Sequence, residues 1–358
     1  MTTQIIEAQQ NIITPEMTCI AEAEGINPNI LRQRVAQGSV VILKNKTKTI
    51  PPVALGCGLS SKICVCLNNN PEAYNVPEET DKIKISILAG AKVALDVSTS
   101  SEYAEMREKI SAEFNMPYGA NPLLESVREA GGTDSLKSSK ITESIERLCE
   151  EGADFITIFP TVTQEILDIY KKEVKNASFF SKSASILADY VTQEKVHNPY
   201  YEAFDEILDF ARTYDVVLSL ACVFSFNSLF EFPTRACYSE LLLLGELVKR
   251  AREAGVQTMI EAGGYMPLVE INNHIKLMKK LTYATPLVLA GPKVAEDIVE
   301  IEYLNSAIGA SVAVSAGCDM LYALYTEDNS KKQNARQLRE NVLSLKLACN
   351  SYGSRADL

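Results

Sequence analysis

A chain of 358 residues, 46% hydrophobic and 23% charged, has the make-up of a large globular domain, and its net charge of −11 argues against nucleic acid, whose phosphates need clustered Lys and Arg. No apolar run approaches the roughly 20 residues that cross a bilayer, and the start, MTTQIIEAQQ, lacks a secretory pattern, so a cytoplasmic location with no membrane partner is expected. The nine cysteines then read as reduced thiols, and with only two histidines any intrinsic metal site must draw on Cys, Asp, Glu or Tyr.

In chain order, residues 1–58 form a small N-terminal cap or arm. TPEMTCIAEAEGINPNILRQRVAQG predicts two short helices, capped by Thr14 before Pro15 and by Asn27 before Pro28, and SVVILKN predicts a strand. From about residue 60 short apolar runs alternate with amphipathic helices. The runs are KICVCL (62–67), AKVALDV (91–97), NMPYG (115–119), DFITIF (154–159), ASFFS (177–181), DVVLSL (215–220), VQTMIE (256–261) and TPLVLAG (285–291). Such runs fit strands buried on both faces of a parallel sheet. SEYAEMREKISAEF, KITESIERLCEEG and CYSELLLLGELVKRAREAG carry helical periodicity, with Gly152 and Gly255 at expected stops. Eight strand-like runs with no GxGxxG turn favour an α/β fold, a (β/α)8 TIM-like barrel over 59–325, against an open doubly wound sheet. The apolar stretch containing Gly309 and Gly317 closes that barrel, and 326–358 forms a C-terminal helical tail.

Reactive groups of such a barrel sit at the C-terminal ends of the strands. Those positions hold Cys64, Cys66, Asp96, Ser98, Thr99, Asn121, Phe159, Ser181 to Ser183, Cys222, Glu261 and the Ala290-Gly291-Pro292 turn. Cys64 and Cys66 point to the same face of their strand. With Cys222 they are either small apolar fillers or ligands of a soft metal such as iron; no CxxC cluster motif accompanies them. SKSAS offers Ser181, Lys182 and Ser183 at a helix start, either an anion cradle or an ordinary N-cap. Glu261 ends an apolar run, where burying a carboxylate is costly, so it reads as a ligand or base rather than a structural ion pair. Asp96 follows the same logic, or else caps a helix.

Several of these segments carry a resemblance. IITPEM (12–17), LDVSTS (95–100), DFITIF, YDVVLSL (214–220), GELVKRAREAGVQTMIE (245–261) and NSAIGA (305–310) together resemble ThiC, the phosphomethylpyrimidine synthase family of thiamine biosynthesis, over nearly the whole chain. The resemblance implies a barrel, a homodimer, and Glu261, Asp96, Ser98 and Thr99 as pocket residues. The chain departs from the family elsewhere. Tyr265 and Tyr303 stand where the family has metal-binding histidines, Phe159 replaces another histidine, Cys66 an Asn and Cys222 an Asp, and Ser181-Lys182-Ser183-Ala184 replaces the phosphate loop SRGG. The family's C-terminal cluster domain is expected to be absent, and these losses argue against radical S-adenosylmethionine chemistry.

The chain is most similar to the short ThiC-related HmdC family, also called HcgG, of [Fe]-hydrogenase cofactor biosynthesis. That resemblance implies a pyridinol or nucleotide intermediate at the barrel mouth, with Glu261 and Asp96 catalytic. Ser98, Thr99, Asn121, Ser181, Lys182 and Ser183 would bind it, and Cys64, Cys66 and Cys222 would hold iron. Other cofactor-assembly proteins are possible partners. A non-catalytic carrier derived from ThiC and a ThiC-like lyase acting on an imidazole ribonucleotide remain alternatives.

Overall fold

The computed structural model of the chain describes residues 2–67, 75–97, 103–174, 179, 181–194, 197–224, 229, 234–295, 301–323 and 335–351. The arm opens with helix α1 (Gln4–Gln9). Helices α2 (Pro15–Glu24) and α3 (Pro28–Ala36) begin where the capping signals place them. Thr14 Oγ1 accepts from Met17 N at 3.2 Å and Asn27 Oδ1 from Asn29 N at 2.9 Å, satisfying amides that have no partner within the helix. Strands β1 (Val40–Leu43) and β2 (Val53–Gly56) then pair antiparallel.

Eight parallel strands close into a barrel. They are β3 (Lys62–Leu67), β4 (Val93–Asp96), β5 (Tyr118–Ala120), β6 (Phe155–Ile158), β7 (Val217–Ala221), β8 (Thr258–Tyr265), β9 (Leu287–Lys293) and β10 (Met320–Ala323). Their order around the ring is β10-β3-β4-β5-β6-β7-β8-β9, each strand beside its chain neighbours. Between them run α4 (Val76–Ala89), α5 (Tyr103–Phe114), α6 (Pro122–Ala130), α7 (Ser138–Glu150), α8 (Gln164–Glu173), α9 (Lys182–Glu194), α10 (Pro199–Glu202), α11 (Phe204–Tyr214), α12 (Arg235–Glu253), α13 (Ile271–Leu281) and α14 (Glu302–Ala316). The last helix, α15 (Ala335–Asn350), packs against α14 and α4 and so occupies the remaining helical place in the ring.

One expected strand is not seen among the described residues of its run. Of ASFFS, the described residues Phe179 and Ser181 lie in no strand. Phe179 serves the layer outside the sheet, with its ring 5.5 Å from Tyr170 and 6.0 Å from Phe224. The eighth strand is β10, drawn from the apolar stretch that follows α14.

Alternation along each strand splits the core into two layers. Cys64, Cys66, Val93, Leu95, Phe155, Val217, Met259, Val288, Ala290, Met320 and Tyr322 fill the barrel interior. Their neighbours, such as Ile63, Val65, Ala94, Leu218 and Ile260, pack outward against the helices. Phe155 needs a glycine beside it: a Cβ on Gly119 would lie 2.2 Å from its ring. Val41, Leu43 and Leu55 of the arm join the interior cluster, while Val40 and Ile42 pack on α2 and α3. The arm sheet therefore plugs the N-terminal end of the barrel. Gln257, just before β8, fixes this plug by accepting the amide of Ile42 at 2.9 Å. At the C-terminal end no such plug is present among the described residues, and this end is taken as the mouth.

Candidate active site

Glu261 is the polar centre of that mouth. Met259 faces inward and Ile260 outward, so the next residue of β8 returns to the interior. Its Oε2 accepts from Thr157 Oγ1 of β6 at 2.9 Å, Ser219 Oγ of β7 at 2.8 Å and Tyr322 OH of β10 at 2.9 Å. Its Oε1 has no partner among the described residues, and the side chain is half-buried. Burial pushes the carboxyl above its ordinary range, and the Ser219, Tyr322 and Thr157 hydroxyls hold it back only in part.

Neutral groups surround this carboxylate. Burial, then Cys66 and Glu261, push the Cys64 thiol well up, and burial with Glu261, Cys64 and Cys66 does the same to the Tyr322 phenol. Among the described residues the interior thus presents one carboxylate surrounded by protonated thiol and hydroxyl groups. One of its oxygens is saturated and the other is available. Such a group can accept an N–H or O–H from a heterocycle, or take a proton from it.

The remaining sequence candidates divide. Ser181 Oγ accepts Ala184 N at 3.1 Å and caps α9, and Ser183, the second residue of that helix, is buried. Asn121 caps α6 through Leu123 N at 3.2 Å and donates Nδ2 to Ser183 Oγ at 2.8 Å, so Asn121 and Ser183 meet. Lys182 is exposed. Ser98 and Thr99 lie outside the described residues.

Two expectations are corrected. Asp96 does not face the barrel interior: Leu95 fills the inward place, and Asp96 faces out to Arg107 of α5, Oδ2 to Nη1 3.2 Å. Arg107 also pairs with Glu151 at 2.5 Å and Glu125 at 3.6 Å, making a buried network that ties β4 to its helices. Nor do the cysteines converge. Cys64 and Cys66 lie inside the barrel, whereas Cys222 packs on the outer layer and, with Cys237, Glu240 and His274, lines a small cavity between the sheet and α12 and α13. Ser219 points inward, and three residues later the alternation turns Cys222 the other way. The Cys222 thiol is pushed well up by burial and by Glu240, Cys237 and Glu261. Among the described residues no group of three or more His, Cys, Asp or Glu is arranged to hold a metal ion.

Sequence reasoning missed Thr157, Ser219, Tyr322 and Glu240. The first two carried a signal, a lone hydroxyl on the inward phase of an apolar strand. Phe159, another strand-end position, packs in the outer layer beside Tyr200, ring centroids 6.4 Å apart, while Ala290 of the Ala290-Gly291-Pro292 turn lies in the interior cluster. A cavity of about 530 Å³ opens at the opposite, N-terminal end of the barrel, between the arm and the starts of β3 and β4, and no candidate residue lines it.

Comparison with known proteins agrees with this architecture. A dihydropteroate synthase from Vibrio fischeri ES114 superposes with a TM-score of 0.50 at 11% identity, over 87% of this chain and 98% of that one, a likeness of fold alone. The phosphomethylpyrimidine synthases of Desulforamulus reducens and Pyrococcus abyssi are 33% and 34% identical over 354 residues, covering 98% of this chain and 82% of each relative. The model described as the radical SAM ThiC family matches residues 3–354. With a barrel of matching architecture and near-complete coverage by its relatives, the chain belongs to the radical SAM ThiC family.

Proposed function

We propose that this ThiC-family protein binds a pyridinol or nucleotide intermediate at the barrel mouth and takes part in building the iron-guanylylpyridinol cofactor of [Fe]-hydrogenase. The observation that carries the reading is Glu261, with Oε2 saturated by three hydroxyls and Oε1 left for a ligand. A pyridinol ring offers an N–H or O–H to that oxygen, and a carboxylate of raised basicity suits it to hold or remove that proton. The paired Asn121 and Ser183 and the Ser181-capped start of α9 support a place for a phosphate.

The family name implies S-adenosylmethionine, an iron–sulfur cluster and a metal. The described residues do not fit a metal: no donor set converges among them, Cys66 and Cys222 lie on opposite faces of the sheet, and Tyr265 and Tyr303 stand where the family's histidines are expected. This chain's own contribution is to bind and orient a ring, exclude water with the apolar interior, and hold a proton at Glu261.

Calorimetry with guanylylpyridinol and with aminoimidazole ribonucleotide tests the reading. Guanylylpyridinol is expected to bind, and Glu261→Gln to weaken it roughly 10- to 100-fold, the loss of one charge-assisted hydrogen bond. Tight binding of the ribonucleotide alone would overturn the assignment in favour of a lyase. In vitro cofactor assembly, followed by the infrared bands of iron-bound CO, is expected to need this protein; CO bands of equal intensity in its absence would count against the reading.

A further inference from the structure

Outside the barrel wall a second buried carboxylate acts on the strands that hold Glu261. Glu240 of α12 is 2% exposed. It accepts Thr161 Oγ1 at 2.7 Å and Val223 N at 2.6 Å on Oε1, and Phe224 N at 3.2 Å on Oε2. These donors lie just past β6 and β7. Thr161 and Val223 each come four residues after a hydroxyl that donates to Glu261, Thr157 and Ser219 respectively. Between them, Cys222 N donates to the Glu261 carbonyl at 2.7 Å. The two carboxylates therefore grip the same pair of chains from opposite faces, Glu261 from inside and Glu240 from outside.

We propose that Glu240 is a positioning residue: its carboxylate sets the ends of β6 and β7, and through them Thr157 and Ser219, and its hold changes with protonation. An ionised carboxylate accepts all three donors, whereas a protonated one gives up acceptor capacity at one oxygen. No cation joins Glu240 among the described residues, so the donors alone stabilise its charge.

The groups packed around it do not supply a competing titration near neutrality. Cys222 at the end of β7 and Cys237 on α12 are thiols pushed up by burial, and His274 of α13 is pushed down to about 4 by burial. On α8, Tyr170 meets Phe224 edge to face, with centroids 5.1 Å apart, and Glu173 is engaged by Arg235. Glu240 itself is raised to about 7 by burial, against the pull of the Val223 and Phe224 amides and the Thr161 hydroxyl.

The inference deepens the proposed reading of the Glu261 site, but its test needs no ligand. In protein labelled with 15N-valine and 15N-phenylalanine, the Val223 and Phe224 amide resonances are followed from pH 5.5 to 8.5. Both are expected to shift with one common midpoint near neutrality, and to stay fixed in Glu240→Gln. Thr161→Val leaves the carboxylate in place and removes one donor, so its midpoint is expected to rise by about 0.5 to 1 unit, since hydrogen bonds to the charged form favour it. Amides that do not titrate in the wild type, or a Thr161→Val midpoint that stays put, would overturn the proposal. Guanylylpyridinol binding is measured separately, so its absence alongside a titrating clamp counts against the proposed function and leaves the clamp standing.

Discussion

At the scale of single residues, the chemistry of the mouth is set by which neighbours of Glu261 carry protons. Tyr322 reaches the carboxylate across the barrel, and replacing its hydroxyl removes one of three donors with little change of shape. Tyr322→Phe is expected to raise the Glu261 midpoint by about one unit, on the order of 1.4 kcal/mol, as read from the carboxylate infrared band. A midpoint that falls or stays constant would show that the phenol does not stabilise the charged form. The sequence pointed to Glu261 because a carboxylate ending an apolar run needs a reason. It could not point to Tyr322, since an aromatic residue in an apolar strand is ordinary core until the barrel closes. Asp96 misled for the opposite reason: its partner Arg107 sits in a helix, and neither its distance nor its direction is written in LDVSTS.

At the scale of elements, alternation explains both what was legible and what was not. Strand runs and caps come from local patterns, which is why Thr14 and Asn27 mark their helices correctly. Whether a side chain faces the interior or the helices depends on pairing, and that decided the fate of the cysteines. Phe179 of the run ASFFS is in no strand because an aromatic residue serves ring packing outside a sheet as readily as strand burial. The pair β5–β6 offers a direct test of inner packing. Gly119→Ala sets a methyl against the Phe155 ring, and overpacking of this kind costs about 1–3 kcal/mol. A chemical denaturation curve should show that loss, and Phe155→Leu in the same chain should recover part of it. If Gly119→Ala is neutral, the interior is looser than described.

At the scale of the whole molecule, two of the raised carboxylates give stability a particular slope with pH. Asp215, which accepts Gln4 N at 2.9 Å and fastens the arm, is raised by burial from 3.8 to about 6, and Glu240 from 4.5 to about 7. Each binds its proton more tightly folded than unfolded, so each favours the folded state at low pH and loses that contribution as pH rises through the folded value. Between about pH 4 and 7 the wild type is therefore expected to lose stability from these groups, on the order of 3 kcal/mol each. The double variant Asp215→Asn/Glu240→Gln should show a flatter profile in urea titrations across that range, and an unchanged slope would contradict both assignments. The barrel itself was legible because eight-fold alternation of strand and helix is a global pattern that survives one misplaced strand. The arm's place was not, because nothing in residues 1–58 names the strands that receive it.

That place has a consequence for how the chain is made. The plug residues Val41, Leu43 and Leu55 leave the ribosome early, yet they rest against Val217, Met259, Val288 and Met320, and Ile42 is bonded to Gln257, 215 residues further on. Contacts of such sequence separation form slowly, because a long loop must close before they reward it. For most of its synthesis the chain carries an apolar sheet with no seat, and a product cut short before β8 would expose it to other chains. The interior closes only when the last strands arrive.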